Sequence, residues 1–319
     1  MSDFSHLLHQ LQGKAEEAKR HTSKKRKRNG QDRDKDSEAT QSNLPKDSSE
    51  LGGFKIHFLC IGAQKAGTTW LHEMLSHHTD IALPSEKKEI HFWDWNREKG
   101  LGWYKKQFQI SQQSSKIFGE INPCYAVLSE RDISEIHTLF PDIKIIFIAR
   151  DITDRTLSAI AMEWHQKLLR LSPGQFIQDH RTSSATTEDD KVKEHSKVDD
   201  EYVISRMHHL THVSRSDYTA CLRNWLKFFS KDQLLIVNYA DIAANPDYVL
   251  AAVCKHIGLI LDKNLMSAHD LTRKVNTGRF SVSQMNENIR AKVLAFVSSY
   301  VQSFNELLLE LGYDWKLNK

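Results

Sequence analysis

Three groups of residues in this chain of 319 are spaced for chemistry on an anion. The first is Gly62-Ala63-Gln64-Lys65-Ala66-Gly67-Thr68-Thr69, a G-x-x-x-x-G turn between an apolar run and a helical pattern. A turn of this kind points backbone N–H groups and a helix N-terminus at a phosphate-like ligand. It departs from the nucleoside-triphosphate loop at Thr68, where that loop has its lysine, and carries its cation inside the turn at Lys65. A kinase or ATPase needs the terminal lysine, with a hydroxyl and a carboxylate on magnesium. The expectation is therefore an anion held by side-chain cations and main-chain donors, with no metal. The second group runs from Arg150 through Asp151 and Arg155 to Ser158, beginning where another apolar run ends. A guanidinium fork and a hydroxyl suit a phosphate monoester, and strand C-termini are where open α/β sheets bind ligands. The third is Glu89-Ile90-His91-Phe92-Trp93-Asp94-Trp95, in which Glu89 or His91 is a candidate general base.

Each group has a plainer reading by itself: a structural glycine turn, a surface ion pair of Arg150 with Asp151, a solvated Glu89. Two phosphate-suited turns on successive strands argue against that. The elements needed to position them are legible as apolar runs at residues 54–61 (FKIHFLCI), 143–149 (IKIIFIA) and 234–237 (LLIV), each followed by helical spacing, at 67–78, 154–171 and 247–256. This alternation predicts an α/β fold, a single P-loop-type domain with a central parallel sheet flanked by helices. A last helix is expected over 284–311, with apolar residues at three-to-four spacing. The predicted organisation is a disordered charged tail over 1–52 and a domain over 53–319, with a polar insertion at 172–212 that could serve as a lid.

Charge excludes some classes. There are 44 Lys and Arg against 41 Asp and Glu, so a net charge of +3 gives no reason to expect nucleic acid as a partner. The first 50 residues hold 11 basic and 9 acidic side chains, which leaves a nearly neutral body. A segment at 3–20 has helical spacing, and Lys24-Lys25-Arg26-Lys27-Arg28 reads either as a nuclear-import or polyanion-binding run or as solvated tail. No apolar stretch approaches the ~20 residues of a membrane span, and no signal-peptide core stands at the front. Cys60, Cys124, Cys221 and Cys254 are widely spaced, which argues against a zinc site or a disulfide framework. The expected location is cytoplasmic, with nuclear access through the basic run.

The segments IGAQKAGTTWL and IARDITDRTLSAI resemble the 5′-phosphosulfate loop and the 3′-phosphate motif of sulfotransferases that use 3′-phosphoadenosine 5′-phosphosulfate (PAPS). KKEIHFWDW, GWYKKQF, GEINPCY and SDYTACLRNWLKFF extend the resemblance over roughly residues 55–315, closest in pattern to bacterial-type and heparan-sulfate-type domains. The resemblance implies transfer of a sulfuryl group to a hydroxyl or amine of an acceptor, with PAP as product and no metal. It implies that Lys65, the N–H groups of Ala66, Gly67, Thr68 and Thr69, and the threonine hydroxyls hold the 5′-phosphosulfate. Arg150 and Ser158 would hold the 3′-phosphate with Arg155 beside them, Trp70 would stack on adenine, and Gly278 and Arg279 would lie in a wrapping loop. Glu89 matches the family's acceptor-deprotonating glutamate, with His91 as the competing base and Asp94, His165 and Tyr218 in a second tier. The heparan-type lysine is replaced by Ile121 and the usual proline by Ile152, which favours a small-molecule acceptor over a polysaccharide. The alternatives are a glycan sulfotransferase, a P-loop kinase-like enzyme and a non-catalytic PAP-binding protein.

Overall fold

The β-branched and aromatic runs form the centre of the protein, which is described from a computed structural model over residues 45–108, 116–168, 198–261, 271 and 285–318. Five strands, β1 (Phe58–Gly62), β2 (Ile81–Ala82), β3 (Ile117–Ile121), β4 (Lys144–Ala149) and β5 (Leu234–Asn238), lie in the order β2-β3-β1-β4-β5. All four pairings are parallel. Every residue of β1 is buried, as are five of the six in β4, which is why these strands read as unbroken apolar runs. The order reverses beside β1, and a crevice at the C-terminal ends of β1 and β4 is where such a sheet takes ligands.

The helices are α1 (Thr68–Ser76), α2 (Leu101–Lys106), α3 (Glu130–Leu139), α4 (Ile152–Leu168), α5 (Asp200–Met207), α6 (Leu210–Ser216), α7 (Tyr218–Leu226), α8 (Tyr239–Ala244), α9 (Pro246–His256) and α10 (Glu287–Leu311). α10 packs on α4 and α7 through Ile289, Val293, Val297, Val301, Phe304 and Leu308, all buried at helical spacing. Its role is packing, at about 2 kcal/mol for each large side chain removed from water. The polar insertion is shorter than expected, because residues 200–216 form α5 and α6 against α4. The lid reading, the 3–20 helix and the basic run fall outside the described residues.

The expected start of the domain at residue 53 is also too late. Asp47 accepts both Nη groups of Arg97 at 2.9 and 3.0 Å and the Leu101 N–H at 2.8 Å. Hydrogen bonding to Arg97 holds the Asp47 carboxyl below its ordinary range. Leu51 and Phe54 are buried in the main core. Arg97 in turn binds Glu135 and lies 5.3 Å over the Phe92 ring. Residues 45–52 are thus a clamp on the wall that carries Glu89.

β3 escaped prediction because Gly119 and Glu120 interrupt its apolar pattern. Both have a reason to be there. A Cβ at Gly119 would stand 2.1 Å from the fully buried Phe58 ring, so only glycine lets β3 approach β1. Glu120, with no exposed surface, accepts the Tyr125 hydroxyl at 2.7 Å and the Tyr104 hydroxyl at 3.0 Å. The Tyr125 oxygen accepts the Phe92 N–H at 2.9 Å, so the buried carboxyl holds the Glu89 segment through one tyrosine. Burial raises the Glu120 pKa to about 8, against the lowering effect of the two tyrosines.

Gly119→Ala is expected to lower stability by about 2–3 kcal/mol through overpacking, measured by denaturant unfolding; a loss under 0.5 kcal/mol would mean that Phe58 moves aside freely. Glu120 keeps its proton to higher pH in the folded chain than in the unfolded one, so it makes stability fall as pH rises from about 4.5 to about 8. Glu120→Gln should flatten that fall by up to ~1.4 kcal/mol per pH unit. Parallel stability curves for the two proteins would contradict it.

Candidate active site

β1 runs into the glycine turn, where Lys65 (φ 68°) and Gly67 (φ 82°) take left-handed conformations. Gly67 is required twice over, since a Cβ there would also meet Ile242 at 2.9 Å. α1 then starts at Thr68, and its ladder begins with the Leu71 N–H on the Gly67 carbonyl at 3.1 Å. The N–H groups of Thr68, Thr69 and Trp70 precede that bond and have no carbonyl within the helix. Ala66, expected among the anion donors, instead gives its N–H to the Ala63 carbonyl at 3.3 Å.

Arg150 leaves the end of β4 and turns back to this loop. Its Nη1 donates to the Lys65 carbonyl at 2.8 Å, its guanidinium lies 4.9 Å over the Tyr239 ring, and its buried Nε has no partner among the described residues. The Tyr218 hydroxyl donates to the Arg150 carbonyl at 3.1 Å, which assigns Tyr218 to holding the strand end. The Lys65 ammonium has no hydrogen-bond acceptor among the described residues. Burial first, then Arg150 and Lys88, push its pKa below the ordinary lysine value, while Glu89 opposes them. Ser158, two turns along α4, is half-buried.

Arg155 corrects the expectation made for it. It has no exposed surface and donates to Ser216 Oγ at 2.7 Å and Thr156 Oγ1 at 2.9 Å, joining α4 to α6. Five residues after Arg150 on a helix, it faces inward. Trp70 is also covered by protein, at 4% exposure, and its indole N–H donates to the Leu271 carbonyl at 3.0 Å. His165 is buried within α4. Gly278 and Arg279 lie outside the described residues.

The base segment reaches the loop through Lys88, whose Nζ bridges Thr68 Oγ1 at 3.1 Å and Glu89 Oε1 at 2.7 Å. His91 (φ 51°) is buried, with Nδ1 2.8 Å from Asp94 Oδ2 and Nε2 3.7 Å from Glu89 Oε2. A donor Nδ1–H to Asp94 leaves Nε2 facing Glu89 as an acceptor. Trp95, 57% exposed, stacks on the His91 ring at 3.8 Å. Ligand-type atoms of His91, Asp94 and Cys124 lie within 4.8 Å of one another. Glu89, His91 and Asp94 therefore form one cluster beside Lys65, instead of rival sites. Lys88, Tyr239 and Cys124 were missed from sequence. The lysine doublet before Glu89 was a signal for Lys88; no local pattern marks the other two, which come from distant elements.

Comparisons with known proteins agree with this geometry. The sulfotransferase domain family matches residues 55–303. The chain is 25% identical to the membrane-associated sulfotransferase kil1 of Dictyostelium discoideum, over 82% of this chain and 66% of that protein. It is 29% identical to heparan sulfate glucosamine 3-O-sulfotransferase 5 of Mus musculus, over 63% of this chain and 53% of that protein. The chain thus spans between half and two thirds of the length of these relatives. A crystal structure of a sulfotransferase from Alicyclobacillus acidocaldarius has the same fold, with a TM-score of 0.53 at 19% identity, covering 82% of this chain and 97% of that one. The cytoplasmic expectation is overturned by the relatives, of which one is membrane-associated by name and the other a heparan sulfate enzyme; no helix among the described residues is long and apolar enough to cross a membrane. Two anion-suited strand ends joined by Arg150, and a family match over most of the described domain, lead to one assignment: the chain belongs to the sulfotransferase domain family.

Proposed function

We propose that this protein transfers the sulfuryl group of PAPS to a hydroxyl or amine, with Glu89 as the general base. The observation that carries the reading is the half-buried Lys65 ammonium, without an acceptor among the described residues and flanked by two further cations, Arg150 and Lys88. Three cations set against one carboxylate, Glu89, are stabilised by a further anion. The buried, unpartnered Nε of Arg150 and the free first-turn N–H groups of α1 fit the same ligand.

PAPS supplies an activated sulfuryl group on a good leaving group. Lys65, the N–H groups of Gly67, Thr68 and Thr69, and the threonine hydroxyls would hold its 5′ end. Arg150 and Ser158 would hold its 3′-phosphate, the feature that separates it from ordinary adenylates. Glu89 takes the acceptor proton. Lys88 keeps that carboxylate oriented, and His91, fixed by Asp94, offers Nε2 on the far side of it. Electrostatic stabilisation of the transferred group falls to Lys65 and the loop donors, preorganised by the fold.

Ile121 in place of the heparan-type lysine supports a small acceptor, and the heparan sulfate relatives support a glycan as the second reading. Sulfate transfer to a panel of phenols, alcohols, amines and glycans separates them.

Lys65→Ala and Arg150→Ala should each weaken PAP binding by roughly ten- to a hundred-fold in calorimetric titration, the value of a charge-assisted hydrogen bond; unchanged affinity in both would refute the cofactor assignment. Glu89→Gln should cut kcat by about 10²-fold or more and leave PAP affinity in place. If instead Glu89→Gln turns over normally and His91→Ala is inert, the base is His91.

A further inference from the structure

One cation beside the base cluster has no role in the account so far. Arg215, near the end of α6, donates through Nη1 to the Thr211 carbonyl at 3.1 Å in its own helix. Its Nη2 approaches Cys124 Sγ at 3.7 Å, and its Nε is buried without a partner. Cys124 Sγ belongs to the cluster that holds ligand-type atoms of His91 and Asp94 within 4.8 Å. The guanidinium thus stands next to the cluster of His91, whose Nε2 lies 3.7 Å from Glu89 Oε2.

Among the described residues no carboxylate forms an ion pair with it. Asp94 engages His91 through Oδ2 and Glu89 engages Lys88 through Oε1, while the buried Asp94 Oδ1 has no hydrogen-bond partner among the described residues. A charged neighbour of Arg215 is Arg155, which has the same sign, is fully buried, and has Nε and Nη1 without partners. A guanidinium in a partly desolvated wall, with no ion-pair partner among the described residues, calls for negative charge from outside the chain. The His91, Asp94 and Cys124 set has the ligand types of a metal site, but a guanidinium 3.7 Å from the sulfur opposes a divalent cation there and attracts an anion. A planar fork whose Nη1 and Nη2 each hold a single partner among the described residues suits a carboxylate or a sulfate ester.

We infer that Arg215 anchors an anionic group of the acceptor, a carboxylate or sulfate, next to the hydroxyl or amine that faces Glu89. Arg215 is then a specificity-determining residue, and the acceptor is an acid, either a small one or an acidic glycan. This rests on the sulfotransferase reading above and adds the substrate class to it.

The test uses the full chain with a matched pair of acceptors, 4-nitrophenyl β-D-glucuronide and 4-nitrophenyl β-D-glucoside, which differ in one carboxylate, and a heparosan tetrasaccharide as the glycan arm. Labelled sulfate transfer from PAPS is read for each, and binding of the two acids to PAP-loaded protein is read by calorimetry. The expected result is a preference of about tenfold or more in kcat/KM for glucuronide over glucoside. Arg215→Gln should reduce that ratio about tenfold through the KM for glucuronide, Arg215→Lys should keep part of it, and PAP affinity in both variants should report an intact fold. A larger response to the tetrasaccharide than to the glucuronide identifies the glycan source, and the reverse identifies a small acid. The inference is overturned if the glucoside is used as well as the glucuronide, if Arg215→Gln lowers both equally, or if PAP-loaded protein neither binds nor sulfates either acid. Failure of the unmutated protein to bind PAP would be a different result, because it removes the cofactor reading first and this inference with it.

Discussion

The hydrogen bond from Arg150 Nη1 to the Lys65 carbonyl is the joint on which the site depends. It ties the end of β4 to the turn after β1, and so fixes two anion-suited groups that lie 85 residues apart in the chain. Lys65 and Arg150 repel one another, and burial strengthens that repulsion. They are kept together by the parallel pairing of β1 with β4, by the left-handed turn at Lys65 and Gly67, and by the Tyr239 ring under the guanidinium. The sheet therefore holds two like charges closer than they would stand by themselves, the arrangement on which the proposed anion site rests.

The side that carries Glu89 is built by a different device. The segment from Glu89 to Trp95 has no regular secondary structure, so its shape must come from individual bonds. Tyr125 grips the Phe92 N–H, Asn96 gives its side-chain amide to the carbonyls of Ile90 and His91, and Lys88 ties Glu89 to Thr68. His91 adopts a backbone conformation that few side chains take, and persists in it because its surroundings over-determine it. Precision here costs buried polar groups such as Glu120, which an apolar core would not contain.

How much of this was legible in the sequence follows from how local each feature is. β1, β4 and β5 could be read because both their faces are covered, and the turns after β1 and β4 because a glycine loop and an Arg-to-Ser spacing are contiguous patterns. β3 could not, since Gly119 answers to the Phe58 ring on another strand and Glu120 to two tyrosines. Arg155 shows the limit from the other direction: its place in the motif was plain, but the direction of its side chain depends on α6, whose residues carry no signal of the contact. Lys88 and Arg215 reach the site across 20 and 91 residues of sequence, distances over which spacing says nothing.

The bidentate pair of Asp47 with Arg97 gives the protein a mechanical linkage. Arg97 lies over the Phe92 and Trp93 rings, and Phe92 is three residues from Glu89. The first described residues are therefore coupled to the wall that carries Glu89 through one ion pair and two ring faces, so that Asp47 and Glu89, 42 residues apart in the chain, share one rigid support.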